Sequence, residues 1–289
     1  MKRGGAALAV VSAAVLFSTA GAAIKIAAFS TAQVSAVRSG VAALTLLLWL
    51  GRRLTWSFRL VGIGAIYAAT LTLFVVATRL TTAANAIFLQ STFPVFMLLL
   101  APWLLKERIT RGDVVSVAVM AAGIVLCFHG RAAVTATTPN PLAGNLAGLA
   151  AGVAWALTIA ALRHLERETH ADAVSREGLG LSAVVAGNGI ACVVALPWAL
   201  PLPHATAAGW GTLVYLGVFQ VALAYVCLTR GIRRLPAMEA SLLLLIEPVL
   251  NPIWAWLVRG ENPGVWVLAG GAVIIGASAV KSVWKSTEG

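Results

Sequence analysis

Apolar residues fall along this chain in long blocks, broken by short basic or turn-rich stretches. Each block has about the 20 residues that carry a helix across a hydrocarbon core at about 1.5 Å per residue. The blocks predict helices over Gly4–Ala28, Ala32–Gly51, Phe58–Arg79, Ala83–Leu105 and Asp113–Phe128. A second set follows at Leu142–Leu162, Gly178–Leu200, Ala208–Arg230, Ala237–Val258 and Gly264–Val283. Between the sets, His129–Pro141 carries Thr-Ala-Thr-Thr-Pro-Asn-Pro, turn chemistry that marks a joint. The chain thus divides into residues 1–130, a linker at 131–141 and residues 142–289.

The two sets resemble each other. Ala83, Ala86, Pro94, Val95 and Glu107 match Ala237, Ala240, Pro248, Val249 and Glu261 at one constant shift of 154. Phe17 and Lys25 match Trp155 and Arg163 at a shift of 138. Fixed self-similarity of this kind reads as two copies of one structural unit. The first apolar run, preceded by Met1-Lys2-Arg3, superficially looks like a signal peptide, but its twin places it inside the repeat. Five spans per copy is an odd number, so the copies must enter the membrane in opposite directions. The expected fold class is therefore an all-α polytopic membrane protein of ten transmembrane helices in two inverted five-helix repeats.

Composition agrees. The chain is 60% hydrophobic and 11% charged, with a mean hydropathy of +0.91, against roughly 25% charged residues in a soluble domain. The net charge of +11 might suggest nucleic acid, but the basic residues stand between apolar spans, so none is expected as a partner. With the N-terminus cytoplasmic, sixteen basic residues fall in inside segments and four (Lys25, Arg79, Arg131, Arg259) in outside ones. That bias predicts both termini on the cytoplasmic side of a bacterial inner membrane. Cys127, Cys192 and Cys227 lie within spans without metal-ligand spacing and read as small apolar filler. Gly148, Gly152, Gly187, Gly217, Gly270 and Gly271 stand where helices could approach closely.

The candidate chemistry is recognition rather than bond-making. His129, His164, His170 and His204 fall in loops or at span ends, and no buried nucleophile–base pair is visible, so no enzyme, metal or cofactor is expected. Glu247 sits near the predicted bilayer midplane beside Pro248, with Asn251 and Trp254 on the same helical face. It either faces a solute or a proton path, or fixes packing at the proline as a neutral acid. Leu244, one turn earlier, is counted with this face. Pro94 and Pro248 are candidate hinges, each removing a backbone bond at mid-helix. Further candidates for solute contact are Phe17 and Ser18, Thr70 and Phe74 beside Tyr67, and Phe88, Gln90 and Ser91 near Asn85 and Thr92. The second half adds Trp155 and Thr158, then Tyr215, Phe219 and Tyr225 beside Gln220. Arg38, about 9 Å into its span, is expected to snorkel outward, with attraction of an anionic group as the other reading. Glu107 and Glu261 just past their helices read as structural anchors.

Several of these landmarks together resemble the EamA-type branch of the drug/metabolite transporter superfamily. They are Phe17-Ser18 with Lys25, Arg38, Pro94 with Lys106-Glu107-Arg108, Ala222-Leu223-Ala224-Tyr225 leading to Arg233-Arg234-Leu235-Pro236-Ala237, and Glu247-Pro248-Val249 with Glu261. Within that branch the sequence looks like YddG-type bacterial amino-acid exporters. The resemblance implies a central cavity lined by the first, third, fourth, sixth, eighth and ninth spans. It also implies export of amino acids, aromatic ones included, or related small metabolites, with the bilayer as the other partner. Phe17 replaces the Trp usual at that family position, and the first copy has Phe93 where the second has Glu247. Export of drugs or metabolites such as nucleobases, lipid flipping, or a non-transport membrane subunit are the alternatives. A proton-linked mechanism would need Glu247 to titrate, whereas a facilitator needs no such residue.

Overall fold

The computed structural model describes residues 3–51, 54–100, 102, 111–129, 134–168, 173–232, 234–235, 240 and 243–287. Glu107, the Lys106–Arg108 stretch, His170, Arg233 and 236–239 lie outside them. Among the described residues the chain is helical throughout, apart from one isolated β-bridge between Thr135 and Thr138. Six segments are long and apolar enough to cross a bilayer: Gly4–Ile26, Thr31–Leu50, Phe58–Leu80, Pro141–Leu165, Gly178–Ala199 and Ala207–Ile232. Ala83–Met97, Val114–His129 and Val265–Val280 are shorter apolar helices.

The helices are α1 (Arg3–Ser18), α2 (Ala20–Ile26), α3 (Thr31–Leu50), α4 (Phe58–Leu80), α5 (Ala83–Gln90), α6 (Phe93–Leu100) and α7 (Arg111–His129). Next come α8 (Pro141–Glu168), α9 (Ala173–Ala199), α10 (Ala207–Tyr215), a π-helical stretch Leu216–Leu223, α11 (Ala224–Ile232), α12 (Ile246–Arg259) and α13 (Val265–Thr287). Their starts obey capping chemistry. Ser30 and Gln33 form a reciprocal capping box on α3, and Ser57, Thr82 and Thr206 each accept a backbone N–H with their hydroxyl at the heads of α4, α5 and α10.

Three of the expected continuous spans are interrupted midway, which corrects the sequence reading. The first divides at Thr19, the fourth at Ser91–Thr92, and the ninth at Leu245. Pro94 is the second residue of α6 and Pro248 the third of α12, so neither proline sits mid-helix. Each stands in a first turn, where a backbone N–H would have no helical partner anyway. The carbonyls ahead of the fourth-span break are taken up locally: Ser91 Oγ donates to Ile87 O at 2.7 Å and Thr92 Oγ1 to Leu89 O at 2.6 Å. At the first-span break Ser18 Oγ donates to Val15 O and Thr19 Oγ1 to Leu16 O, both at 2.7 Å. Such irregular backbone at membrane depth survives only inside protein or beside a water-filled space.

The helices pack in a closed set of pairs. α4 lies on α8 and α9; α1 lies on α11 and α12; α3 lies on α9 and the π-helical stretch; α7 pairs with α13, and α5 touches both α8 and α12. Glycines permit the closest approaches, as expected. A Cβ on Gly187 of α9 would lie 2.5 Å from the Tyr67 ring, and one on Gly271 of α13 would lie 2.2 Å from the Phe88 ring.

One end of the bundle gathers Lys25, the α4–α5 turn, residues 134–140 and the α12–α13 turn. Asn140 N donates to Leu80 O there, and the Gln33 amide to Ala199 O. α1–α2 run towards this end and α8 runs away from it. The largest apolar core also lies here, joining Ala20, Ile24, Phe29, Val34, Phe74, Val75, Ile87, Phe88, Leu213, Leu216 and Val267. The opposite end, around Leu60, Ile63, Leu165 and Ala183, has only small separate clusters.

Candidate functional site

The interrupted helices converge on an aromatic and polar group at mid-depth. Tyr67 of α4, only 3% exposed, is its centre. Its hydroxyl donates to the Tyr225 hydroxyl at 2.7 Å. The Tyr67 ring lies 5.7 Å from Trp155 of α8 and 6.0 Å from Tyr225, the latter edge to face. Phe17 of α1 meets Tyr225 edge-on at 5.1 Å. Offset and edge-to-face geometries at these spacings are the favourable ones for aromatic rings. Phe17, Trp155 and Tyr225 each keep part of their surface uncovered, while Tyr67 behind them is covered.

A second group flanks it at the first-span break. Thr19 Oγ1 and the Tyr215 hydroxyl are 3.0 Å apart, and Tyr215 stacks on Phe219 at 5.8 Å. Trp254 of α12 donates its indole N–H to Ser18 Oγ at 3.0 Å. Asn251, one turn before Trp254, is fully buried against Gly21; neither of its amide atoms has a hydrogen-bond partner among the described residues. The π-helical stretch Leu216–Leu223 crosses between the two groups, and π segments tend to occur where function needs a helix re-aimed.

Two charges stand near the tyrosine pair. Arg38 is 2% exposed, so it does not snorkel outward; the shape of α3 leaves its side chain inside the bundle, in electrostatic range of both tyrosine hydroxyls. Glu247 is partly exposed in the first turn of α12 and bears electrostatically on the same two hydroxyls.

Other expected site residues lie elsewhere. Phe74 and Phe88 belong to the large core at the Lys25 end. Leu244 packs with Ala6 and Val10 on the opposite half of α1. Thr70 donates to Ile66 O, Thr158 to Ala154 O and Ser91 to Ile87 O, so their hydroxyls serve their own helices. Gln90 is partly exposed, and its carbonyl lies 3.1 Å from where a Cβ on Gly152 would stand.

Sequence reasoning did not foresee the ion pair that closes the Lys25 end. Lys25 Nζ lies 3.1 Å from Glu261 Oε2, with both side chains at most 4% exposed. Lys25 also donates to Thr81 O at 2.7 Å and to Thr137 O. Glu261 Oε1 accepts the Ala83 N–H at the head of α5, where the helix dipole favours an anion. The expectation that Glu261 anchors the chain holds, though its partners come from α2 and α5 rather than from its own turn. Among the described residues no cluster of His, Cys, Asp and Glu could hold a metal ion, and all three cysteines are free.

Comparison with known proteins places this arrangement. The profile described as the EamA-like transporter family matches residues 4–128 and again 142–282. An uncharacterized transporter of Clostridium kluyveri is 28% identical over 71% of this chain, which spans 65% of that protein's length. The uncharacterized transporter YyaM of Bacillus subtilis is 24% identical over 88% of this chain and 86% of its own. The pseudopaline exporter CntI of Pseudomonas aeruginosa is 27% identical over 66% of this chain and 63% of its own. A solved crystal structure superposes with a TM-score of 0.63 at 21% identity, covering 98% of both chains, a likeness of fold.

Proposed function

The chain belongs to the EamA-like transporter family, and from that premise we propose that it exports small metabolites, amino acids among them, across a bacterial inner membrane by alternating access. The observation that carries this reading is the meeting of interrupted helices at mid-depth around Phe17, Tyr67, Trp155 and Tyr225. Broken helices and unpaired polar groups at that depth are how transporters build a solute site. Partly uncovered aromatic faces suit the apolar body of a solute, and Ser18, Asn251 and Glu247 suit its polar end.

Two inverted repeats, 1–130 and 142–289, would supply the motion. Exchanging the halves leaves the packed helix pairs unchanged. α1 on α11 answers α8 on α4, α1–α2 on α12 answers α8 on α5, and α3 on α9 and α7 on α13 answer themselves. The breaks beside Pro94 and Pro248 would be the hinges about which the repeats rock. With both termini cytoplasmic, the Lys25 end faces outward. Its large core and its buried ion pair favour a state closed to the outside and ready to load from the cytoplasm.

The test is uptake of a panel of labelled amino acids into liposomes carrying the purified protein, native and Trp155→Ala. Saturable uptake by the native protein, weakened in the variant, is expected. Binding of lipid or of a partner protein without any solute flux would favour the flippase or subunit reading instead.

A further inference from the structure

We propose that Arg38, with Ser35 one turn before it, receives a carboxylate of the transported solute, so that the central site selects acids and zwitterions over their neutral or purely cationic analogues. This rests on the transport reading above and deepens it.

The buried guanidinium has no counter-charge of its own. Its Nε and Nη2 have no hydrogen-bond partner, and among the described residues no carboxylate lies within ion-pair distance. A guanidinium is a fixed cation with five donors in a fork that matches a carboxylate. Taking it into a low-dielectric interior is costly unless an anion joins it. Lys25 shows how the fold treats a buried cation that serves structure: it is paired with Glu261 and bonded to two carbonyls. Arg38 has no such treatment.

Its position fits the role. Ser35 and Arg38 are three apart on one face of α3, both at most 2% exposed, and the Ser35 hydroxyl is also unpartnered. The backbone here touches the π-helical stretch, since a Cβ on Gly217 would lie 2.8 Å from Arg38 O. From that stretch Gln220, 6% exposed, also holds an unpartnered side-chain oxygen. Arg38 is in electrostatic range of Tyr67 and Tyr225, the pair at the centre of the aromatic group. Glu247 reaches the same two hydroxyls and makes no ion pair with Arg38. A zwitterion laid across the tyrosine pair would meet a cation with its carboxylate and an anion with its ammonium group.

The experiment pairs each labelled amino acid with its own carboxamide, which keeps the side chain and amine but lacks the carboxylate. Uptake into liposomes is measured for the native protein, Arg38→Gln and Arg38→Lys. The native protein is expected to take up the acid at least tenfold more efficiently than the amide. Arg38→Gln should bring that ratio close to one by losing the acid, while amide uptake persists and reports a folded transporter. Arg38→Lys, which keeps the charge without the fork, should fall between them. If Arg38→Gln keeps the native acid-to-amide ratio, or the native protein does not discriminate, the carboxylate assignment is overturned while transport stands. If the native protein moves neither member of any pair, both the transport reading and this inference fail.

Discussion

Replacing Glu261 by Gln isolates the charge that closes the Lys25 end. The substitution keeps the shape and an oxygen for the Ala83 N–H, but leaves Lys25 buried without its anion. Removing one partner of a buried pair costs about 3–5 kcal/mol. Lys25 retains the Thr81 and Thr137 carbonyls, which favours the lower end, about 3 kcal/mol. The pair joins α2 to the α12–α13 turn, so it exists only while this end is shut, and the loss falls on the closed state. At 1.4 kcal/mol per tenfold, about 3 kcal/mol moves the closed-to-open equilibrium about a hundredfold. The assay is labelling of Ala84→Cys by a membrane-impermeant thiol reagent in intact cells, with Cys127, Cys192 and Cys227 replaced by Ser. Ala84 is 1% exposed, in the core behind the pair, so native labelling should be slow. Glu261→Gln should raise it steeply, and the exchanged pair Lys25→Glu with Glu261→Lys should bring it back towards the native rate. Unchanged labelling in a folded Glu261→Gln protein would refute the gating argument.

Other consequences are accessible to simpler measurements. Tyr225→Phe leaves the buried Tyr67 hydroxyl without its acceptor, a loss of about 1–3 kcal/mol that should lower the thermal unfolding midpoint in detergent and weaken solute uptake. Gly271→Ala places a Cβ into the Phe88 ring; a cost of about 1–3 kcal/mol is expected, and Phe88→Leu in the same chain should recover part of it. Pro94→Ala and Pro248→Ala should allow the fourth and ninth segments to rejoin, slowing transport more than solute binding. Cysteine accessibility around either site that does not differ between inward- and outward-biased conditions would remove the hinge role.

What could be read from residues alone was the pattern each residue carries by itself or at a fixed spacing. Apolar blocks gave the spans, and glycines at Gly187, Gly217 and Gly271 gave the close contacts, because a missing side chain has the same meaning wherever its neighbour comes from. The prolines marked the break regions but not their geometry, since a proline suits a helix's first turn as well as it disrupts a middle one. The break at Thr19 has neither proline nor glycine beside it; the only local sign was the Ser18-Thr19 pair, whose hydroxyls bond back to the helix. Lys25 and Glu261 are 236 residues apart, and nothing local to either names the other. Arg38 has a stem long enough to reach the surface or the interior, so only the packing of α3 against the π-helical stretch decided it.

That π-helical stretch also sets a limit on how this segment can change. A wide turn holds more chain than an α turn over the same length, so Leu216–Leu223 stores slack between Tyr215 and Tyr225. Losing one residue there would tighten the coil without breaking it, but would spin everything downstream by about 100°. Tyr225 would then swing off Tyr67, and an insertion or deletion elsewhere in the same segment would have no comparable place to be absorbed.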